Sequence, residues 1–149
     1  MIKYLLSILS VFLVTILYYP NIDNVKDKYK LDGLVIEYNH YSCCIANPPV
    51  YEIKLYADKY ITYGYKESDE IKKVKLTDLE YNEIVNYAFS NKILSLKKGL
   101  TDPNILDGSH SSITLYANGK KIYSNGGDNV TNGRYNKLVH LLRDKEKEE

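Results

Sequence analysis

Residues 50–57 (VYEIKLYA) alternate: Tyr51, Ile53 and Leu55 share one side, Glu52, Lys54 and Tyr56 the other. That period of two is the signature of a half-buried strand. A turn at Asp58-Lys59 leads into residues 60–65 (YITYGY), with Ile61, Tyr63 and Tyr65 on a common side. Before them, residues 34–41 (LVIEYNHY) are β-branched and aromatic enough for a strand. Residues 70–76 (EIKKVKL) read as a further short one.

The period then changes. Thr77 followed three residues later by Glu80 forms a capping box, which satisfies free amides at a helix start. Tyr81, Ile84, Val85 and Ala88 follow at i, i+3, i+4 and i+7, so the helix is expected to reach about Asn91. Ile93, Leu94 and Leu96 read as an extended exit, and residues 97–111 as a loop with Gly99, Pro103 and Gly108. Short strands at 112–116 and 121–123 flank Asn118-Gly119, a dipeptide suited to the positive φ of a tight hairpin. A second loop, residues 124–133, precedes a last helix with the stripe Tyr135, Leu138, Val139 and Leu142. The predicted class is α+β: a mainly antiparallel sheet of hairpins packed with two helices, after an N-terminal apolar helix.

That first segment is an apolar run over residues 4–19, preceded by Lys3 and interrupted only by Ser7, Ser10 and Thr15. It falls near the lower end of the length that crosses a bilayer, and matches a signal-peptide core. Ala-x-Ala spacing is missing where the run ends, in Ile16-Leu17-Tyr18-Tyr19-Pro20, and no lipoprotein cysteine follows. Residues 1–20 are therefore expected to be an uncleaved anchor or signal, with Tyr18 and Tyr19 at the interface. Residues 21–32 read as a tether, 33–143 as one domain, and 144–149 as a charged tail. The lysines flanking the run do not fix its orientation. The short head before it is ordinary export geometry, which places the domain outside the inner membrane, facing the periplasm or cell exterior.

Net charge narrows the partners. With 20 basic and 19 acidic side chains in 149 residues, nothing drives phosphate neutralisation, so no nucleic-acid partner is expected. Composition stands out in one respect: 16 tyrosines against 2 phenylalanines and no tryptophan. A buried tyrosine needs a partner for its hydroxyl, so many rings are expected half-buried on sheet faces.

The two cysteines, Cys43 and Cys44, are adjacent. Neighbouring Cα atoms lie ~3.8 Å apart, below the ~4.4 Å that ordinary disulfides need. Adjacent thiolates in an extended strand point apart, and no C-x-x-C exists, so no metal site is expected. Structural thiols, a strained vicinal disulfide and an intermolecular bond remain as readings.

The segment around them resembles one in a family of small exported bacterial domains of unknown function. That family carries Cys-x-x-x-Cys-Pro-x-Tyr leading into a hairpin, a helix, a Thr-Asp element and a second hairpin. Cys44 matches its first cysteine, Pro49 its proline and Tyr51 its tyrosine. Thr101-Asp102-Pro103 matches the Thr-Asp element, and residues 113–122 the second hairpin. The family's second cysteine falls on Pro48, so a cysteine-pair role is absent or altered. The resemblance implies an exported location and this fold, and it implies no reaction.

Few residues invite chemistry. His40 falls in a strand and His140 on the exposed side of the last helix. His110 lies in the predicted loop beside Ser109, Ser111 and Ser112, with Asp102 or Asp107 as an orienting acid. A triad needs geometry that sequence proximity does not supply, and Asp/Ser clusters usually bond their own backbone. Residues 102–108 mimic a calcium loop but lack its closing Glu, and Gly126-Gly127 to Gly133 lacks the Lys-Ser/Thr of a phosphate loop. No enzyme activity, cofactor or metal is expected. Alternation instead turns Lys54, Tyr56, Tyr60 and Thr62 away from the core as a mixed aromatic-polar patch. The expected function is a membrane-tethered domain that binds a protein partner outside the cytoplasm, one form being an immunity protein against a secreted toxin. The alternative is a small-ligand sensor or carrier in the cell envelope.

Overall fold

The computed structural model of the chain describes residues 23–42, 46–105 and 108–147. The apolar run 4–19 and the pair Cys43 and Cys44 lie outside them. A short helix α1 (Asp23–Lys28) leads to β1 (Leu34–Ser42), β2 (Tyr51–Tyr56), β3 (Tyr60–Tyr65) and β4 (Ile71–Lys75). Helices α2 (Asp78–Ala88) and α3 (Asn91–Leu94) follow, then β5 (Ser109–Ala117), β6 (Lys120–Asp128) and α4 (Gly133–Arg143), with a 3-10 turn at Asp144–Lys147. The class is α+β, as the residue pattern predicts.

All six strands form one antiparallel sheet in the order β4-β3-β2-β1-β5-β6. Pairing registers place Ile36, Leu55, Ile61, Val74, Leu115 and Tyr123 in one row across it. Tyr38, Ile53, Tyr63, Ile113 and Asn125 form the next row on the same face. The apolar stripes of α2 (Tyr81, Ile84, Val85, Ala88) and α4 (Tyr135, Leu138, Val139, Leu142) join them in a single buried core. Fully buried phenols find partners there: Tyr63 donates to the Leu142 carbonyl at 2.8 Å, and the Tyr135 and Ser111 hydroxyls lie 3.1 Å apart.

Local signals act as expected at two places. Glu80 N donates to Thr77 Oγ1 at 3.3 Å and Thr77 N to Glu80 Oε2 at 2.8 Å, closing the capping box. Asn118 and Gly119 take φ of 53° and 70°, the geometry of a two-residue hairpin.

Elsewhere the structure corrects the boundaries. The helix ends at Ala88, not Asn91: Ser90 Oγ bonds the Tyr87 carbonyl at 2.7 Å, and a new turn starts as Leu94 N reaches Ser90 O at 3.0 Å. Ile93 and Leu94 are therefore helical rather than an extended exit. The loops are also shorter than predicted, because β5 begins at Ser109 and β6 runs on to Asp128.

Both ends of the described domain are held. Val25, Tyr29 and Leu31, in the stretch read as a tether, pack on the core, with Tyr29 and Phe89 ring centroids 5.1 Å apart. At the other end, Lys145 pairs with Glu80 at 2.9 Å, Tyr51 donates to Glu146 Oε1 at 2.7 Å, and Lys72 donates to the Glu146 carbonyl at 2.6 Å. Residues 144–147 are thus fastened to the sheet through charge-assisted bonds.

Candidate functional site

The described helices cover only one face of the sheet. Side chains one residue out of step with the core rows point to the other face. Register aligns Lys73, Thr62, Lys54, Glu37, Thr114 and Ser124 there. Among the described residues no helix packs on this open face.

All four residues expected on an outward patch stand here. Lys54 and Thr62 are cross-strand partners in one row, and Tyr60 follows opposite Lys75. Tyr56 ends β2 on the same side and, like Tyr60, is half-buried. Lys54 Nζ pairs with Glu52 at 2.7 Å, and that hydrogen bond above all holds its ammonium above the usual lysine range, against an opposing contribution from burial. Glu37 accepts from the Tyr116 hydroxyl at 2.9 Å. Lys73 Nζ sits 3.9 Å and Lys75 Nζ 4.2 Å from the centroid of the Tyr60 ring. The patch is therefore a base of aromatic rings with Glu52 ion-paired, Glu37 hydrogen-bonded and two ammonium groups stacked at its edge. Sequence reading missed Lys73 and Lys75. Their signal was present in the alternation of residues 71–75, which puts both lysines on the side of Tyr60.

His110 is placed differently from expectation. It lies in strand β5, not in a loop, because β6 continues beside it as far as Asp128. Its Nδ1 is 2.8 Å from Asp128 Oδ1, and its ring stacks on Tyr41 with centroids 4.9 Å apart. Asp102 is not its partner: Asp102 Oδ1 accepts from the backbone and side-chain nitrogens of Asn104, a local turn. Asp107 lies outside the described residues. Of the neighbouring serines, Ser111 faces the core and bonds Tyr135, and no described serine hydroxyl bonds the His110 ring. The row Tyr41–His110–Asp128 on the open face can exchange a proton or accept hydrogen bonds, but the arrangement has no oriented nucleophile among the described residues.

A concavity lies at the end of the sheet near residues 144–147. This cleft of about 450 Å³ is lined by Tyr51, Tyr63, Tyr65, Ile71, Lys72 and Glu146, among others. Tyr51 and Tyr65 meet edge-to-face at 5.4 Å, and Tyr65 is 52% exposed. No cluster of three or more metal-ligating side chains occurs among the described residues, and none of their helices is long and apolar enough to cross a membrane. Compared with known proteins, the chain matches no family model and no curated protein.

Proposed function

We propose that this is a non-enzymatic, membrane-tethered extracytoplasmic domain whose open sheet face binds a protein partner, as an immunity protein binds a secreted toxin. One observation supports the reading: one sheet face is left bare by the described helices and bears half-buried tyrosines among ion-paired and hydrogen-bonded charges. Such rings offer large contact area at small entropic cost, and paired charges at the centre avoid the desolvation of lone ones. The anchor of residues 4–19 supplies the membrane attachment, since its apolar run lacks a cleavage signal.

The test uses the full-length protein recovered from membranes and a toxin encoded beside it. Tyr56→Ala with Tyr60→Ala should weaken toxin binding by about 2 kcal/mol or more while the melting temperature stays within a few degrees. Normal binding by the double variant, with its fold intact, removes this face from the function. The tyrosine-lined cleft favours a second reading, a small-ligand sensor or carrier. In that case Tyr65→Ala, not the pair on the open face, abolishes the biological effect.

A further inference from the structure

The two edges of the sheet differ. At the β6 edge, Leu100 N donates to Gly126 O at 2.9 Å and Asp102 N to Asp128 O at 3.0 Å, so residues 100–102 cover it. At the other edge, Leu76 N donates to Lys59 O at 2.9 Å. The alternation of an antiparallel ladder then turns the N–H and C=O groups of Ile71, Lys73 and Lys75 outward. Among the described residues none of those groups has a backbone partner beyond β4.

The side chains of the same three residues lie on the open face. Ile71 is 60% exposed beside Gly64, whose missing side chain leaves it uncovered. Lys73 and Lys75 stand over one ring, two like charges held together. Lys75 is oriented further by donating to the Asp58 carbonyl at 2.8 Å. Three other lysines of the domain have carboxylates: Lys54 has Glu52, Lys59 has Asp78 and Lys145 has Glu80. No described carboxylate lies within ion-pair distance of Lys73 or Lys75, and the open-face carboxylates Glu37 and Glu52 are already engaged.

We propose that the β4 edge receives an acidic, extended segment of the protein partner, added as a further antiparallel strand. Its pattern is acidic-x-acidic-x-apolar, opposite Lys75, Lys73 and Ile71. Backbone bonding supplies attachment, and the two carboxylates relieve the repulsion between the stacked ammonium groups. The same lysines oppose pairing with a second copy of this edge, because like charges would then face each other. The proposal rests on the open face being the binding face and specifies the chemistry of what it binds.

The experiment titrates the full-length protein in mild detergent with short labelled peptides. One carries the acidic-x-acidic-x-apolar pattern, one has lysine for each acid, and one is a scramble of equal charge without alternation. The patterned peptide should bind, the lysine peptide should not, and Lys73→Gln with Lys75→Gln should weaken binding at least about tenfold. Hydrogen exchange at the amides of Ile71, Lys73 and Lys75 should slow in the complex. Four results overturn the proposal: no binding of the patterned peptide, equal binding of the scramble, displacement by tripolyphosphate or phosphatidylglycerol vesicles as effective as by the peptide, or self-association that the lysine substitutions abolish. If the lysine variants keep toxin binding while Tyr56→Ala with Tyr60→Ala loses it, the strand-addition proposal fails and the binding face stands. If neither set matters, both fail.

Discussion

Raising the pH above about 10 is expected to unfold this protein cooperatively, with tyrosine ionisation as the driving event. Tyr38, Tyr81 and Tyr135 are 3%, 4% and 2% exposed. Burial raises all three above the ordinary tyrosine value, Tyr81 to about 12 with the Asp58 charge adding to it. For Tyr38 the Arg143 charge and the Ser111 hydroxyl pull the other way without cancelling the rise; for Tyr135 the Ser111 bond does so. A group with a raised folded value contributes its full stability below the unfolded value and loses it as pH climbs toward the folded one. Above pH ~10 the unfolded chain has released these protons and the folded chain retains them. Each retained proton costs about 1.4 kcal/mol per pH unit, so three cost about 4. Against a total stability of ~5–15 kcal/mol, one to a few pH units suffice. Urea unfolding at stepped pH measures the slope, and Tyr135→Phe should make it shallower by about 1.4 kcal/mol per unit. Tyrosinate absorbance should rise together with the loss of circular dichroism. An absorbance curve with no step at the loss of circular dichroism would show that Tyr38, Tyr81 and Tyr135 are open to solvent in the fold.

Gly126→Ala is expected to cost about 3 kcal/mol, the upper range for forcing atoms into a packed interior. The residue pairs with Ser112 across the β5–β6 ladder, and a Cβ there would fall 2.6 Å from Ser112 Cα and against the Ser111 carbonyl. Both obstacles belong to backbone, so neither can rotate away and the two strands must separate. Separation also disturbs His110 and Asp128, two residues further along the pair. Gly133→Ala is the control: nothing lies within 4 Å of its Cβ position at the start of α4, and its loss of chain freedom when unfolded should stabilise by a few tenths to ~1 kcal/mol. Thermal and urea midpoints measured side by side check both. An unchanged midpoint for Gly126→Ala would mean that β6 is not held against β5 at that point.

The Gly126-Gly127 pair also marks where sequence reading ran out. Asn-flanked glycines have the composition of a turn, and residues 124–133 were expected as a loop. The structure extends β6 through them because a strand without Cβ atoms can approach closely on both sides. Gly126 lies against β5, and a Cβ on Gly127 would meet Thr101 N at 2.5 Å, where residues 100–102 cross the edge. That extension is what brings Asp128 to His110, two residues separated by 18 positions. No local pattern pairs them, since residue spacing puts His110 in the loop 97–111 and Asp128 in the loop 124–133. The same holds for Glu146 beside Tyr51 and Lys72: a charged terminus reads as solvated until the sheet offers it partners.

Period-two and period-3.6 spacing, the capping box and Asn118-Gly119 determined by themselves the α+β class, the buried stripes of both long helices and the outward side of β2 and β3. These are short-range properties, set by how a few neighbouring residues satisfy backbone bonds and share a face. Tertiary structure alone decided the strand order, with β5 returning beside β1, and which edge lacks a backbone partner among the described residues. It also set the pairing of His110 with Asp128 and the stacking of Lys73 and Lys75 over Tyr60. Each of these depends on contacts between segments distant in sequence, or on side-chain approach across a ladder, and such contacts leave no periodic trace in the chain.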